Sequence, residues 1–321
     1  MSKKSYWLFV VFITSSMVCP SIFAKDQLLI SQYMLNTMQY NPGFAGFSGS
    51  LCLTGLHRQQ FMGLKVSDKD GKKNLATQMS LLTAEMPIDF IKGGLGLSVQ
   101  SAKAGYLTDT KIGLAYAYHL ETSVGRLGLG VQLDLRDIAI DFSKLNPITG
   151  SDPVLTGKQK EDAFYVDFGV GAYFNSYSNF FVGLAFNNIA TGKKDLLHYR
   201  TSRELVINGG YNFSFDALPA FEFTPTTIVR TDFTSIDWNI AAMFTYNKKI
   251  WGGISYTIAD AVTILAGVNI KQFRIGVSYD INATNATFKS APGGSLEISL
   301  KYCFKLDADK VNTNYKNSRY L

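Results

Sequence analysis

Apolar and polar residues alternate along most of this chain with a period of two. Near the C-terminus the apolar set is Leu296, Ile298, Leu300, Tyr302 and Phe304, and the intervening set is Glu297, Ser299, Lys301 and Cys303. Successive side chains of a β-strand point to opposite faces, so the pattern predicts a strand with one apolar face. Similar segments, each followed by a turn, predict fourteen strands over residues 51–59, 76–85, 93–101, 107–120, 124–137, 163–174, 179–187, 203–213, 221–234, 237–246, 249–258, 260–269, 271–280 and 295–304.

These strands favour an all-β transmembrane antiparallel β-barrel over a soluble β-sandwich. They are about as long as the 9–11 residues that a tilted strand needs to cross a bilayer. The face opposite the apolar one carries mainly Gly, Ser, Ala, Asn and Gln, as expected for a barrel lumen. Aromatic residues at strand ends predict girdles at the membrane interface: Tyr116, Tyr118, Trp238, Tyr246, Tyr256, Tyr279, Tyr302 and Phe304.

The lengths of the connections predict the orientation of the barrel. The long connections all follow odd-numbered strands: residues 60–75, 138–162, 188–202 and 282–294. Outer-membrane barrels have long loops outside and short turns in the periplasm. We therefore expect an outer-membrane protein with both termini in the periplasm.

Four segments divide the chain. Residues 1–24 carry Lys3 and Lys4, an apolar stretch and a small residue at Ala24, which together predict a cleaved signal peptide. Residues 25–50 lack alternation and predict either a plug in the lumen or a cap at the periplasmic mouth. Residues 51–304 form the predicted barrel, and the polar residues 305–321 form a predicted periplasmic tail.

Composition excludes other classes of protein. The 321 residues are 46% hydrophobic and 17% charged, with a formal net charge of +6. Intrinsic disorder needs low hydrophobicity and high charge, so the chain is expected to fold. The modest positive charge gives no reason to expect a nucleic-acid partner.

The sequence offers little catalytic chemistry. The three histidines, His57, His119 and His198, lack the spacing of metal ligands and no nucleophile motif accompanies them. His119 shares the phase of lumen-facing residues, which leaves a lipase-like histidine–serine pair conceivable. We expect no enzyme activity, no metal and no cofactor.

Charged and small residues of the lumen face have predicted structural roles. The arginines Arg58, Arg136, Arg230 and Arg274 are expected to pair with acids such as Asp134, Asp232 and Asp280. Glycine pairs in mid-strand, such as Gly128 with Gly130, allow another segment to approach closely.

Two cysteines remain after the predicted cleavage, Cys52 and Cys303. They lie at the start of the first strand and the end of the last, which are antiparallel neighbours in a closed barrel. Opposite residues of such strands have Cα atoms about 4.5–5.5 Å apart, which a disulfide accepts. A disulfide in an oxidising compartment and two free thiols in the lumen wall both remain open.

Several motifs resemble the PorP/SprF family of outer-membrane proteins of the Bacteroidetes type IX secretion system. The first are Gln32-Tyr33-Met34 and the run from Asn41 and Pro42 to Gly46. Next comes Arg58-Gln59-Gln60-Phe61, where the family usually has Arg-x-Gln-Trp. Phe61 replaces that Trp, and Gly43 replaces a usual Ala. Further matches lie at residues 94–97, 103–105, 115–118, 152–153, 167–171, 181–184 and 300–304.

The resemblance implies a barrel that assists export of large surface proteins such as gliding adhesins. Its implied partners are the translocon and periplasmic components of the secretion system, the C-terminal domain of the cargo and outer-membrane lipid. The alternative is a transporter for hydrophobic small molecules, because long-chain fatty-acid transporters also have fourteen strands and an Asn-Pro-Ala element in a lumen plug.

Overall fold

The computed structural model describes residues 30–62, 65–68, 71–74, 76–142, 160–190, 202–282 and 293–304. The predicted signal peptide, residues 25–29 of the predicted plug or cap, His198 and the predicted C-terminal tail lie outside the described residues. Within them the chain forms seventeen strands, because alternating faces and turn residues repeat as the sequence predicts. The strands are β1 (Cys52–Gln60), β2 (Lys65–Asp68), β3 (Gly71–Asn74), β4 (Thr77–Ile88), β5 (Gly93–Ala104), β6 (Leu107–Thr122), β7 (Gly125–Asp141), β8 (Lys160–Ser176), β9 (Phe180–Asn187), β10 (Glu204–Tyr211), β11 (Phe213–Phe215), β12 (Leu218–Thr231), β13 (Ile236–Tyr246), β14 (Ile250–Thr257), β15 (Ala261–Ile270), β16 (Phe273–Asn282) and β17 (Ser295–Cys303).

Fourteen of these strands close into an antiparallel barrel. Strand β1 pairs with β4 on one side and with β17 on the other, and β10 pairs with both β9 and β12. Strands β2 and β3 form a separate hairpin in the connection after β1, and β11 pairs only with β12. Closure gives every wall strand a partner on each side, which a sheet in lipid needs for its backbone groups. The predicted all-β barrel of fourteen strands is therefore confirmed.

The barrel has two ends that differ in their connections. We call the rim where β1 begins and β17 ends the near end, and the opposite rim the far end. Connections at the near end have two to six residues. The four longest connections, residues 61–76, 142–159, 188–203 and 283–294, all lie at the far end, as the sequence predicts.

The predicted bounds of one strand were wrong by three residues at each end. Strand β12 ends at Thr231 instead of residue 234. The Asp232 carboxylate accepts hydrogen bonds from the backbone N–H groups of Thr234 and Ser235, at 2.9 and 2.6 Å. This capped turn ends the strand, although the alternation of apolar and polar residues in the sequence continues through Phe233.

The outward face of the wall is apolar although it is exposed. Leu114, Val131 and Ile298 have 51, 56 and 51% of their surface exposed, whereas their inward neighbours Gln132 and Glu297 are buried. Around the near end, outward aromatic rings form contacts in the pairs Tyr211–Phe213, Phe223–Phe244, Phe221–Tyr246, Phe273–Tyr302 and Tyr302–Phe304. An exposed apolar band with aromatic residues at its edge is the surface that lipid requires.

The described helices are four 3-10 helices of three residues each, of which three precede β1. None of the helices in the described ranges is long and apolar enough to cross a membrane.

Candidate functional site in the barrel lumen

Residues 30–47, the N-terminal segment, run along the inward face of the wall. The segment contains three 3-10 helices, Tyr33–Leu35, Thr37–Gln39 and Pro42–Phe44, and all its residues except Gln39 are buried. Such short helices are poorly stabilised by their own hydrogen bonds. The contacts that hold this segment therefore come mainly from the wall.

A buried ionic cluster fixes the beginning of the segment. The Arg58 guanidinium contacts Asp280 at 2.5 Å and Glu297 at 3.3 Å. The Ser31 hydroxyl accepts a hydrogen bond from Arg58 and donates one to Asp280, both at 2.8 Å. The backbone N–H groups of Ser31 and Gln32 donate to the two Glu297 oxygens at 3.0 and 2.8 Å. Paired charges tolerate burial when such bonds satisfy them.

The Gln32 side chain is held by both of its polar atoms. Its Nε2 donates to the Glu297 carbonyl at 3.2 Å and to the Ser278 hydroxyl at 3.4 Å. Its Oε1 accepts from the Ser299 hydroxyl at 2.6 Å. The amide lies against Gly276, where a Cβ atom would collide with Oε1. A small residue in β16 therefore makes room for the glutamine.

A second anchor is built on Asn41. Its Nδ2 donates to the backbone carbonyl oxygens of Ala172 at 2.9 Å and Leu184 at 3.4 Å. Its Oδ1 accepts from the Gly43 N–H at 2.9 Å and so caps the helix Pro42–Phe44. Asparagine thus joins the turn of the segment to β8 and β9 through one side chain.

The turn of residues 41–46 lies on a part of the wall that is rich in glycine, where β6 contributes the small side chains of Ala115 and Ala117. At Gly130 a Cβ atom would collide with the backbone of Pro42 and Gly43, and at Gly94 it would collide with Ala45 and Gly46. Only glycine permits two backbones to approach so closely. The glycines of this surface, which together we call the glycine groove, are Gly94, Gly96, Gly128, Gly130, Gly171 and Gly183.

His119 is a structural residue at the end of this turn. Its Nε2 donates to the Ala45 carbonyl at 2.9 Å, and its Nδ1 accepts from Arg126 at 2.6 Å. The Arg126 guanidinium lies 5.0 Å from the centre of the Phe47 ring. Because these contacts occupy both ring nitrogens, His119 is not a free general base in this arrangement.

Most of the predicted motif residues contribute to contacts between the N-terminal segment and the wall, at several places in the lumen. Gln32, Asn41 and Arg58 contact their partners as described, and the Tyr33 hydroxyl is 2.6 Å from Thr226 Oγ1. Pro42 and Gly46 lie on the glycine groove. Of the first-strand motif, Gln59 lies at the far end of β1, and Phe61 directly follows the strand with a positive φ of 56°.

The sequence names the lumen arginines and some acids without assigning pairs; Arg58 contacts one of those acids, Asp280, and the other arginines contact further residues. Arg136 contacts Asp109 at 2.7 Å, and Asp134 lies 3.7 Å from Lys111. Arg230 contacts Asp237 and Glu204, whereas Asp232 caps a turn. Arg274 lies over the Trp251 ring at 5.1 Å. Alternation gives the face of a residue, whereas strand register decides its neighbour.

The sequence reasoning did not identify Ser31 and Glu297 as site residues. Glu297 lies on the polar face of the last strand, directly opposite Arg58 of the first strand. This pairing of an acid with an inward arginine could have predicted its role. Ser31 lies in a segment without periodicity, so nothing in the sequence indicated where its side chain would lie.

The barrel seam is joined at the near end. Cys52 and Cys303 form a disulfide with Cα atoms 4.1 Å apart, and Cys52 is also the partner of Glu85 in β4. On the inward face beside the disulfide, the Lys301 ammonium lies 3.2 Å from the Glu85 carboxylate.

A pocket opens in the lumen wall near β12, β13, β15 and β16. It is lined by Met34 and Met243 together with mainly polar residues: Asn212, Glu222, Thr224, Thr226, Thr245, Asn269 and Arg274. Within the described ranges no group of three or more His, Cys, Asp or Glu residues is arranged to hold a metal ion.

Three solved structures are similar to this chain. A monoaromatic hydrocarbon channel, CymD, is 10% identical, with 86% of this chain and 93% of that chain covered and a TM-score of 0.50. The toluene transporter TbuX of Ralstonia pickettii is 12% identical, with 84 and 93% covered and a TM-score of 0.49. A FadL homologue of Pseudomonas aeruginosa is 13% identical, with 89 and 96% covered and a TM-score of 0.44. At such identities the likeness concerns the fold alone.

The sequence comparison is more specific. No curated protein sequence matches the chain. The family described as "Type IX secretion system membrane protein PorP/SprF" matches residues 22–302. That range includes the N-terminal segment, the glycine groove and all but the last residue of β17. Because the match extends over nearly the whole barrel and the segment within it, the chain is an outer-membrane β-barrel that belongs to the PorP/SprF family of type IX secretion system membrane proteins.

Proposed function

We propose that this protein is a non-enzymatic component of the type IX secretion system, which assists the export or surface attachment of large proteins such as gliding adhesins. The observation that carries the proposal is the family match over residues 22–302. The lumen adds support, since its charged groups pair with one another and with the N-terminal segment in the contacts described. Groups engaged in this way suit a structural role.

We infer further that residues 25–50 form a lumen plug and that cargo does not pass through this barrel. The N-terminal segment contacts β1, β16 and β17 through Ser31 and Gln32, and β7, β8 and β9 through Asn41 and the glycine groove. Its apolar side chains also pack against inward residues on opposite sides of the wall, including Leu56 and Val206. While the segment fills the lumen, the outer surface and the rims are the parts of the barrel available to partners.

The proposed orientation places the near end and both termini in the periplasm, because the short turns lie there. Residues 1–24 are the proposed cleaved signal peptide and residues 305–321 a proposed periplasmic tail. The near end would then meet the periplasmic components of the secretion system and the translocon. The C-terminal domain of the cargo is the proposed client, and outer-membrane lipid covers the exposed apolar band.

Deletion of the gene tests this proposal. We expect one or a few large proteins to disappear from the cell surface while general secretion continues, and the wild-type gene supplied in trans should restore them. Mass spectrometry of surface proteins measures both results. An unchanged surface proteome together with defective uptake of a long-chain fatty acid would contradict the proposal and identify a transporter instead.

A further inference from the structure

We propose that the barrel lumen is a peptide-binding site, which the N-terminal segment occupies in this structure and which a peptide of the same chemistry from another chain can occupy in its place. The site comprises the glycine groove and the cluster of Arg58, Asp280 and Glu297. The inference concerns the lumen alone and does not depend on which protein the barrel helps to export.

The wall is complete without the segment. Strands β1 and β17 pair from Cys52 and Cys303 to Gln59 and Leu296, and β10 and β12 pair over six residues. The ladder of the wall therefore closes through strand–strand hydrogen bonds alone. Loss of the segment would leave a barrel with an exposed internal surface, which is the condition for a binding site.

The glycine groove recognises a turn by its shape and by two acceptors. Its missing side chains leave a channel that fits a backbone, and the Ala172 and Leu184 carbonyl oxygens accept from the Asn41 amide. The asparagine side chain thus reaches main-chain oxygens of two neighbouring strands, β8 and β9. The groove therefore selects a peptide turn with an asparagine followed by proline and a small residue.

The ionic cluster recognises a second point on the peptide. Both Glu297 oxygens accept backbone N–H groups, and Ser278, Ser299 and the Glu297 carbonyl bind the amide of Gln32. One arginine and two acids give the cluster an excess of negative charge, which favours donors and disfavours acidic ligands. The segment fits this requirement, because residues 30–47 contain no charged side chain.

Taken together, the two anchors define the ligand class. It is an uncharged peptide rich in aromatic residues and methionine, with a glutamine about nine positions before an Asn-Pro turn, as in Gln32 and Asn41. The link between the segment and β1 is short and accessible: Gly49 is exposed, has a φ of +73° and would have no atom within 4 Å of an added Cβ. This link allows the segment to be cut after the full chain has folded.

The experiment uses the full chain with a protease recognition sequence inserted after Gly49. The protein is folded in detergent, cut at the inserted site and mixed with a fluorescent synthetic peptide of residues 30–49. We expect the cut barrel to release its own segment and bind the labelled peptide, as measured by fluorescence anisotropy. A peptide with Gln32→Ala and Asn41→Ala should bind at least about tenfold more weakly, the factor expected for the loss of one or two net hydrogen bonds.

Two results would overturn the proposal. One is a cut segment that stays bound and never exchanges with the labelled peptide. The other is equal binding of the wild-type peptide and a peptide of the same composition in scrambled order.

A second variant covers the case in which the insertion prevents folding. The uncut chain with Ser31→Ala, Gln32→Ala and Asn41→Ala keeps every wall residue but weakens the occupant of the site. It should bind more labelled wild-type peptide than the unaltered chain does. Equal binding by these two folded proteins would also contradict the proposal.

Discussion

Cys52 and Cys303 face each other where the first and last strands of the barrel meet, and a disulfide joins them with Cα atoms 4.1 Å apart. The two residues are separated by 251 positions in the sequence. The bond therefore connects the ends of the chain that forms the wall and removes conformational freedom from the unfolded barrel.

The first prediction concerns this seam. Replacement of both cysteines, Cys52→Ala with Cys303→Ala, should destabilise the barrel by about 2–4 kcal/mol, the usual contribution of a disulfide. Denaturant unfolding in detergent measures the change, and reduction of the unaltered protein should reproduce it. Thiol labelling of the denatured, non-reduced protein supplies the decisive control, since two reactive thiols would contradict the bond.

The second prediction concerns Arg58. Its replacement by alanine leaves Asp280 and Glu297 buried without their cation and should cost about 3–5 kcal/mol, as for other broken buried ion pairs. Because Glu297 also holds Ser31 and Gln32, the N-terminal segment should become accessible to added protease.

A matched control is Arg136→Ala, which removes an equally buried arginine from its pair with Asp109. This variant should lose stability but keep the segment protected, because Arg136 pairs with Asp109 within the wall. Equal protease sensitivity in both variants would show that the Arg58 cluster has no special role in holding the segment.

The third prediction concerns the glycine groove. A side chain at Gly130, as in Gly130→Val, would collide with the backbone of Pro42 and Gly43. Overpacking of this kind costs about 1–3 kcal/mol or expels the intruding element. The variant should still fold as a barrel, which is measured on a gel by a difference in migration between unheated and boiled samples. Its N-terminal segment, however, should be digested by protease.

The control for this variant is Gly55→Ala, because an added Cβ at Gly55 meets no atom within 4 Å. It should leave both the gel shift and the protection unchanged. Continued protection of the segment in Gly130→Val would contradict the close backbone approach in the groove.

The wall could be predicted from the sequence because a barrel strand buries one face in the lumen and exposes the other to lipid. The phase of Cys52 and Cys303 followed from the same alternation, since Leu53 and Tyr302 point outward beside them. Register was harder to predict. Arg136 was expected to pair with an acid in the lumen, but alternation alone did not identify Asp109, which the register of β6 and β7 brings to it.

The contacts of the N-terminal segment were the least predictable part of the site. The glycines of β7 and β8 signalled a close approach, but nothing in them named Pro42 and Gly43 as the neighbours. The segment has no repeating pattern, and its conformation depends on the wall that surrounds it. The local sequence therefore indicated which residues of the segment form the anchors, but it did not indicate which wall residues they contact.

The last prediction concerns passage through the lumen. Deletion of residues 30–47 removes the side chains that pack between Leu56 on one side of the wall and Val206 on the other. If the segment is a plug, the deletion variant should conduct ions in planar bilayers and leak small solutes from liposomes, whereas the unaltered protein should remain closed. The gel shift between unheated and boiled samples establishes that the variant is a folded barrel. Substitution of Asn41 by alanine in the full chain, which weakens one anchor and keeps the segment, should give brief openings at most. A folded deletion variant as closed as the unaltered protein would refute the plug and favour a cap at the periplasmic mouth.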